Sequence, residues 1–191
     1  GELVPATRTV RLDYHRHDNF ASFSKELMEL SRQEREGAPE FIDAIGHSPT
    51  NLVCVLGSFI DEPPPPPERW STPFYSRSAI AASELLRTED YLFRYDADCH
   101  WLARTVPPLE WAPVRRAVGG RLLGSTNLIN AFGRTSRVMS AFKRRADLVC
   151  DIFVPQRNFK AFFEWHRDHI DHWPLWVVPY RPPGPYLWLA P

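Results

Sequence analysis

The chain has 191 residues, 43% hydrophobic and 13% aromatic, which is enough apolar material for a sizeable core and argues against a disordered chain. Its 23 basic and 23 acidic residues give a formal net charge of zero, so no global field attracts nucleic acid and we expect no nucleic-acid partner. Three widely spaced cysteines form neither a disulfide framework nor a zinc motif, and no apolar run is long enough to span a bilayer, so we expect a cytoplasmic protein.

The N-terminal half predicts strands and one amphipathic helix. "TVRLDYH" (9–15) alternates like a strand, and "FASFSKELMELSRQER" (20–35) repeats its apolar residues at helical spacing. "NLVCVLGSFI" (51–60) is a nearly continuous apolar run that is typical of a buried strand. Five consecutive prolines (63–67) then predict a stiff polyproline II connector, and "TEDYLFRYD" (88–96) predicts another strand.

Residues 111–145 differ in composition from the rest of the chain. They contain eight basic residues and no acidic one, with leucine, isoleucine and phenylalanine between them. We predict a mostly helical insertion, and two interpretations of it stay open. It is either a helical pair with its apolar side in the core, or an interfacial element whose apolar side chains enter lipid while its arginines meet anionic head groups.

The C-terminal part repeats the alternation of strands and helices. We predict strands over 147–155, 174–181 and 186–190, and a helix with an aromatic face over 156–170. The whole chain is therefore predicted to be a single α+β domain (1–191) in which helices pack on one side of a mainly antiparallel sheet, with the helical insertion added.

Three histidines near the C-terminus (His166, His169 and His172) are an apparent metal motif. On a helix they fan over roughly 120° and lack the glutamate of a zinc-protease motif, and the following Trp-Pro step ends the helix. We therefore expect a helix terminus and no metal. His15 and His17 alternate at the end of a strand and receive the same interpretation.

Two stretches, "DYLFRYDADCHW" (90–101) and "ADLVCDIFVPQRNFKAFFEWHRDHIDHWPLWVVPYRPP" (146–183), together carry a family resemblance. They resemble the C-terminal half of the flavin-linked delta-24-sterol reductase (24-dehydrocholesterol reductase) family, which belongs to the vanillyl-alcohol-oxidase type of FAD enzymes. "GELVPATRTVRLDY" (1–14) also resembles the exit from the flavin-binding domain of that family into its cap. The resemblance lies in the order of several short motifs and is best over 147–183.

This resemblance implies that the chain is the substrate-side (cap) domain of an FAD-dependent oxidoreductase. It implies FAD as the cofactor, bound mainly by an upstream FAD-binding domain of the same polypeptide. The implied reaction is hydride transfer between the flavin and a lipid-like or bulky apolar substrate, while the cap orients the substrate and excludes water. Peripheral membrane contact through 111–145 would suit such a substrate.

The resemblance also implies site residues. It gives catalytic roles to Arg94, which would position an anionic group or tune the reduced flavin, and to Tyr95, which would donate a proton. The family often has histidine at the position of Tyr95. Substrate contacts are implied for Trp101, Trp176 and Tyr180, and for all five residues aromatic packing against the sheet stays open as the alternative.

Three other functions stay open. An FAD-linked oxidase of the same superfamily would act on a sugar or alditol. A non-enzymatic interaction module would use the polyproline segment and the basic helices. A metal hydrolase built on the three histidines is the least favoured of the three.

Overall fold

The structure is a computed structural model, and it describes residues 5–32, 37–98, 110–119, 122–125, 127 and 151–180. It contains a five-stranded antiparallel sheet with the strand order β4-β1-β3-β2-β5, together with several helices. The predicted α+β fold class is therefore confirmed.

The helices and strands of the described ranges have the following bounds in chain order. They are β1 Thr9–His17, α1 Phe20–Arg32, β2 Phe41–Ser48, β3 Asn51–Ile60, α2 Phe74–Ser78, β4 Ser83–Arg87, α3 Thr88–Leu92, α4 Arg94–Ala97, α5 Ala112–Val118, a 3-10 turn Gln156–Asn158, α6 Phe159–Trp165, a π-helical turn His166–Ile170, and β5 Leu175–Val177.

The chain divides into two compact units, of which unit 1 comprises residues 1–14 and 57–147. In unit 1, β1 pairs with β4 in antiparallel register, so that Val10 faces Leu86. Its interior contains the fully buried side chains of Val10 and Phe74 and the nearly fully buried ring of Trp70. The helices α2 to α5 belong to this unit, and α5 lies in the predicted insertion; most of 111–145 lies outside the described residues.

Unit 2 comprises residues 15–56 and 148–191 and has a two-layer architecture. β2 and β3 form a hairpin through residues 49–50, and β5 adds to β2 in antiparallel register. Helices α1 and α6 cover one face of these strands, where Phe23 and Phe163 pack with Leu52 in one apolar cluster. The prediction of helices on one side of the sheet holds in this unit.

Helix α1 shows why the periodic pattern succeeds as a predictor. Asn19 caps the helix, because its side-chain oxygen accepts the backbone N–H of Ser22 at 2.9 Å. Phe23 and Leu27 are one turn apart and both fully buried, so they place the apolar stripe of the helix on the sheet.

The predicted strand over 88–96 is wrong, because this segment forms α3 and α4. The buried residues Asp90, Tyr91, Arg94 and Tyr95 recur at i, i+1, i+4 and i+5, which is a helical period. Two of the four are charged, so an apolar pattern did not show the buried face.

The predicted strand over 147–155 is also not found in the part of this segment that the structure describes. Residues 151–155 are irregular and mostly exposed, and 147–150 lie outside the described residues. Apolar β-prone residues form a strand only where they pair with a neighbouring strand, and residues 151–155 pair with none of the five strands of the described sheet. The strand over 174–181 is confirmed in the shorter form of β5, whereas 186–190 lies outside the described residues. No strand or helix is predicted from the sequence at β2, β4 or α2.

Candidate functional site

The predicted catalytic pair Arg94 and Tyr95 lies in the interior of unit 1, on α4. Arg94 is 8% exposed and Tyr95 is 7% exposed. The guanidinium carbon of Arg94 lies 4.0 Å from the ring centre of Tyr91, 4.4 Å from that of Tyr95 and 5.4 Å from that of Phe74. One Arg94 nitrogen also donates a hydrogen bond of 2.9 Å to the carbonyl of Tyr91. This aromatic enclosure favours a role in positioning the helix over direct contact with a substrate.

A buried carboxylate adjoins this pair. Asp98 is fully buried, and its two oxygens accept the backbone N–H groups of Phe74 at 2.5 Å and Tyr75 at 2.7 Å. Burial raises the pKa of Asp98 to about 7, opposed by these two hydrogen bonds and by the charge of Arg115. Asp98 therefore ties the start of α2 to the end of α4 and can change its charge near neutral pH.

Arg115 and Arg77 are arginines whose charges act on this carboxylate, and Arg115 has the larger effect. Its side chain is fully buried and donates hydrogen bonds of 2.8 Å to the carbonyl of Trp70 and 2.7 Å to the carbonyl of Ala97. It is one of the eight basic residues of the predicted insertion, and here it serves the core. No sequence pattern singled out Asp98 or Arg115, because a buried polar pair joins segments that are distant in sequence.

The predicted substrate contacts Trp176 and Tyr180 both belong to unit 2. Trp176 lies on β5, is 39% exposed, and its indole N–H donates a long hydrogen bond of 3.4 Å to the carboxylate of Asp43. Tyr180 is 57% exposed, and its ring centre lies 5.9 Å from that of Phe153. Trp101 lies outside the described residues.

Asp43 and Trp176 lie on the face of β2 and β5 that is opposite the helices. Their sequence neighbours Ala44, Leu175 and Val177 pack in or against the apolar cluster under α1 and α6. Since side chains alternate along a strand, Asp43 and Trp176 point to the other face. An indole and a carboxylate thus meet at the β5 edge of the sheet.

The three C-terminal histidines have different environments, as expected for a helix terminus. His166 is 6% exposed, and its ring packs edge-on against Trp173, with ring centres 5.0 Å apart. Burial lowers the pKa of His166, and the charge of His172 acts in the same direction. His169 instead lies on the surface, stacked on Trp165. The π-helical turn ends at Asp171, which has the left-handed φ of 45°. The interpretation of this histidine-rich stretch as a helix terminus is confirmed.

A second polar cluster, in unit 2, brings together β1, α1 and β3. His15 and His17 lie two residues apart on β1, and both approach the carboxylate of Glu26 on α1. His15 Nδ1 lies 2.5 Å from one carboxylate oxygen and His17 Nε2 lies 2.5 Å from the other. The sulfur of Cys54 on β3 lies 4.0 Å from the same His17 nitrogen. One ligand atom each from His17, Glu26 and Cys54 lies within 4.8 Å of the others.

Cys54 is not a nucleophile in this setting. Burial raises the pKa of its thiol to about 12, and the negative charges of Glu26 and Asp43 act in the same direction. Only the thiolate is strongly nucleophilic, so the neutral thiol is inert at neutral pH. The alternation of His15 and His17 was visible in the sequence, whereas the approach of Glu26 and Cys54 depends on tertiary packing.

No protein-family model, no curated protein and no solved structure matches this chain. Among the helices of the described ranges, none has both the length and the apolar character that crossing a bilayer requires.

Proposed function

We propose that this chain is the substrate-side cap of an FAD-dependent oxidoreductase of the sterol-reductase-like kind, acting on a lipid-like or bulky apolar substrate. The order of motifs over 90–101 and 146–183 supports this proposal. The α+β architecture, with an antiparallel sheet covered by helices on one face of unit 2, is compatible with a cap that contacts a substrate at the exposed β5 edge of its sheet.

The observation that carries the proposal is the position of Trp176. It is a large aromatic side chain on a short edge strand, on the face opposite α1 and α6, and 39% of it is exposed. An exposed indole offers a flat apolar surface, which suits a bulky apolar molecule. Its one N–H donates the long hydrogen bond to Asp43, with 3.4 Å between nitrogen and oxygen, which favours one orientation of the ring.

The FAD phosphates would be bound outside the residues described here. The longest helix of the described ranges, α1, begins at Phe20 after the capping residue Asn19 and not after a glycine-rich loop of the kind that cradles a pyrophosphate. When bound, the flavin would accept or donate the hydride. The residues of this chain would bind and orient the substrate through Trp176 and Tyr180 and exclude water. The enclosed pair Arg94 and Tyr95 would position its segment of unit 1.

The test uses the full open reading frame that encodes this chain, purified and examined for the visible absorbance of oxidised flavin. In one arm the flavin is reduced with dithionite without oxygen, and its reoxidation is followed after adding an alkene-bearing sterol or a polyprenol. In the other arm the oxidised flavin is mixed with an alditol without oxygen, and the loss of its visible absorbance is followed. We expect reoxidation by the sterol or polyprenol. Absence of flavin contradicts the proposal, and reduction of the flavin by the alditol without any reoxidation by the apolar alkenes would favour the sugar-oxidase alternative.

A matched pair of variants links the result to this chain. Trp176→Ala should raise the KM for the apolar substrate about tenfold or more, as expected for a large buried contact (about 1–3 kcal/mol). Trp165→Ala removes an indole that is 48% exposed on α6 and should leave KM unchanged. Equal effects of the two variants would show that Trp176 has no special role.

We propose that the cap contacts membranes peripherally through 111–145. Replacement by glutamine of Arg116 and of the six basic residues from Arg121 to Arg145, which keeps the buried Arg115 in place, should abolish co-sedimentation with vesicles that contain anionic lipid. Vesicles of neutral lipid should bind weakly in either case. Retained binding after these replacements would exclude the basic residues of this segment as the contact.

A further inference from the structure

The cluster of His17, Glu26 and Cys54 has a ligand set that the proposed flavin chemistry does not use. We propose that these three side chains bind one zinc ion in unit 2, with water as the fourth ligand. Imidazole nitrogen, carboxylate oxygen and thiolate sulfur are the protein ligands that zinc prefers, and three of them with one open position make a four-coordinate site.

The distances are close to those of a zinc site. With zinc bonds of about 2.0 Å to nitrogen and about 2.3 Å to sulfur, the two ligand atoms of a tetrahedral site lie about 3.5 Å apart. Cys54 Sγ and His17 Nε2 are 4.0 Å apart, so they need to approach by only a few tenths of an ångström. Glu26 lies 2.5 Å from the same nitrogen and would move outward, which a long side chain on a helix surface can do by rotation.

The groups around these ligands are also arranged for coordination. The other ring nitrogen of His17 lies 3.1 Å from the hydroxyl of Ser22, so the ring is oriented with Nε2 toward Glu26 and Cys54. His15 contacts the second oxygen of Glu26 at 2.5 Å, which leaves one oxygen for the ion. Partners of this kind fix the orientation of ligands and raise metal affinity.

Access and charge suit the same ion. The side chain of His17 is 12% exposed and that of Glu26 is 27% exposed, so water reaches one side of the site, while Cys54 closes the other side from the core. On binding, zinc replaces the thiol proton of Cys54, which is released to solvent. The site would join β1, α1 and β3.

This proposal replaces the expectation of no metal for the His15–His17 stretch, which rested on the strand alone. It leaves the three C-terminal histidines as a helix terminus, because His166 faces the core and His169 faces solvent. The two histidine groups therefore provide an internal comparison within one chain.

The experiment titrates the full chain, prepared without a histidine tag and stripped of metal, with Zn²⁺ against a chromophoric chelator. Co²⁺ is then used as a spectroscopic probe, because a cysteine ligand adds a sulfur-to-cobalt charge-transfer band in the near ultraviolet. We expect one Zn²⁺ per chain, no competition by Mg²⁺, and the charge-transfer band.

Variants assign the band to this site. Cys54→Ala should abolish it, and Glu26→Gln, a helix-surface change that should fold normally, should weaken Zn²⁺ binding by about tenfold to a hundredfold. His169→Gln and Cys99→Ser should leave both readouts unchanged. Failure to bind Zn²⁺, or a band and affinity that survive both Cys54→Ala and Glu26→Gln in correctly folded protein, would overturn the proposal. The flavin test above involves none of these residues.

Discussion

Replacement of Asp98 by asparagine is expected to remove a large pH-dependent part of the folding stability. Asp98 is fully buried and accepts the backbone N–H groups of Phe74 and Tyr75 at the start of α2. Asparagine has nearly the same shape and no proton to gain or lose, but its amide can accept only one of these two N–H groups. That lost acceptor lowers stability equally at every pH, so the pH dependence of the difference between the two proteins isolates the titration of one carboxyl group.

The sign and the size follow from the two pKa values. Burial raises the pKa of Asp98 from its ordinary value of 3.8 to about 7 in the folded chain. Between these values the folded chain binds one more proton than the unfolded chain, so the free energy of unfolding falls as the pH rises. This contribution is fully present below pH 3.8 and is lost as the pH rises through about 7. At about 1.4 kcal/mol per pH unit, the difference between the unfolded and folded pKa values corresponds to about 4 kcal/mol of unfolding free energy.

The assay is urea unfolding of the wild type and Asp98→Asn over the pH range between those two pKa values. The difference in unfolding free energy, wild type minus variant, should fall steadily with rising pH by up to about 4 kcal/mol. Asp13→Asn removes a carboxylate whose side chain is 36% exposed on β1 and should keep the wild-type profile. A constant difference between wild type and Asp98→Asn would refute the reasoning.

Three further predictions concern residues of unit 2, and the first of them uses an exposed residue as its control. Phe23 is fully buried, so Phe23→Ala should lower the free energy of unfolding in urea by about 3–5 kcal/mol. Phe93 is exposed, so Phe93→Ala should change it by less than about 0.5 kcal/mol. Similar losses in the two variants would contradict the assignment of Phe23 to the core. Gly46→Ala should cost about 1–3 kcal/mol in the same assay. The reason is that the added Cβ would lie 3.0 Å from the ring of Trp173. An unchanged urea midpoint would show that the ring moves aside at no cost. Because burial lowers the pKa of His166, stability should be lost as the pH falls below 6.5 and through the folded pKa. His166→Gln should reduce this loss of unfolding free energy at acid pH. An unchanged loss would assign it to other groups.

The elements predicted correctly are those whose buried face is apolar. β1, α1 and β3 bury valine, leucine and phenylalanine at strand or helix spacing, and the sequence shows this period directly. β2 was missed because its buried stretch includes Asp43 and Gly46, which read as loop residues. The prediction of a strand over 88–96 is wrong because the buried helical face of this segment includes Asp90 and Arg94, whose burial depends on tertiary partners.

The candidate sites could be predicted only in part, for the same reason. Alternation on a strand placed His15 and His17 on one face, and the resemblance pointed to Trp176 before the structure placed it on an exposed edge. The approach of Glu26 and Cys54 to His17 is set by how α1 packs over β3. That packing leaves no local pattern in the sequence.

The flavin-cap proposal and the zinc proposal can fail separately, because they use opposite faces of the strands in unit 2. Cys54 belongs to the apolar cluster under α1 and α6, and His17 packs edge-on against Phe23 of the same cluster. Asp43 and Trp176 point to the other face. Removal of the zinc ligand Glu26 should therefore leave the KM of a flavin-dependent reaction unchanged, and Trp176→Ala should leave zinc affinity unchanged. If removal of Glu26 changed that KM, or if Trp176→Ala changed the zinc affinity, the ion would act on the substrate face through β2 and β3. The ion would then be part of the oxidoreductase site.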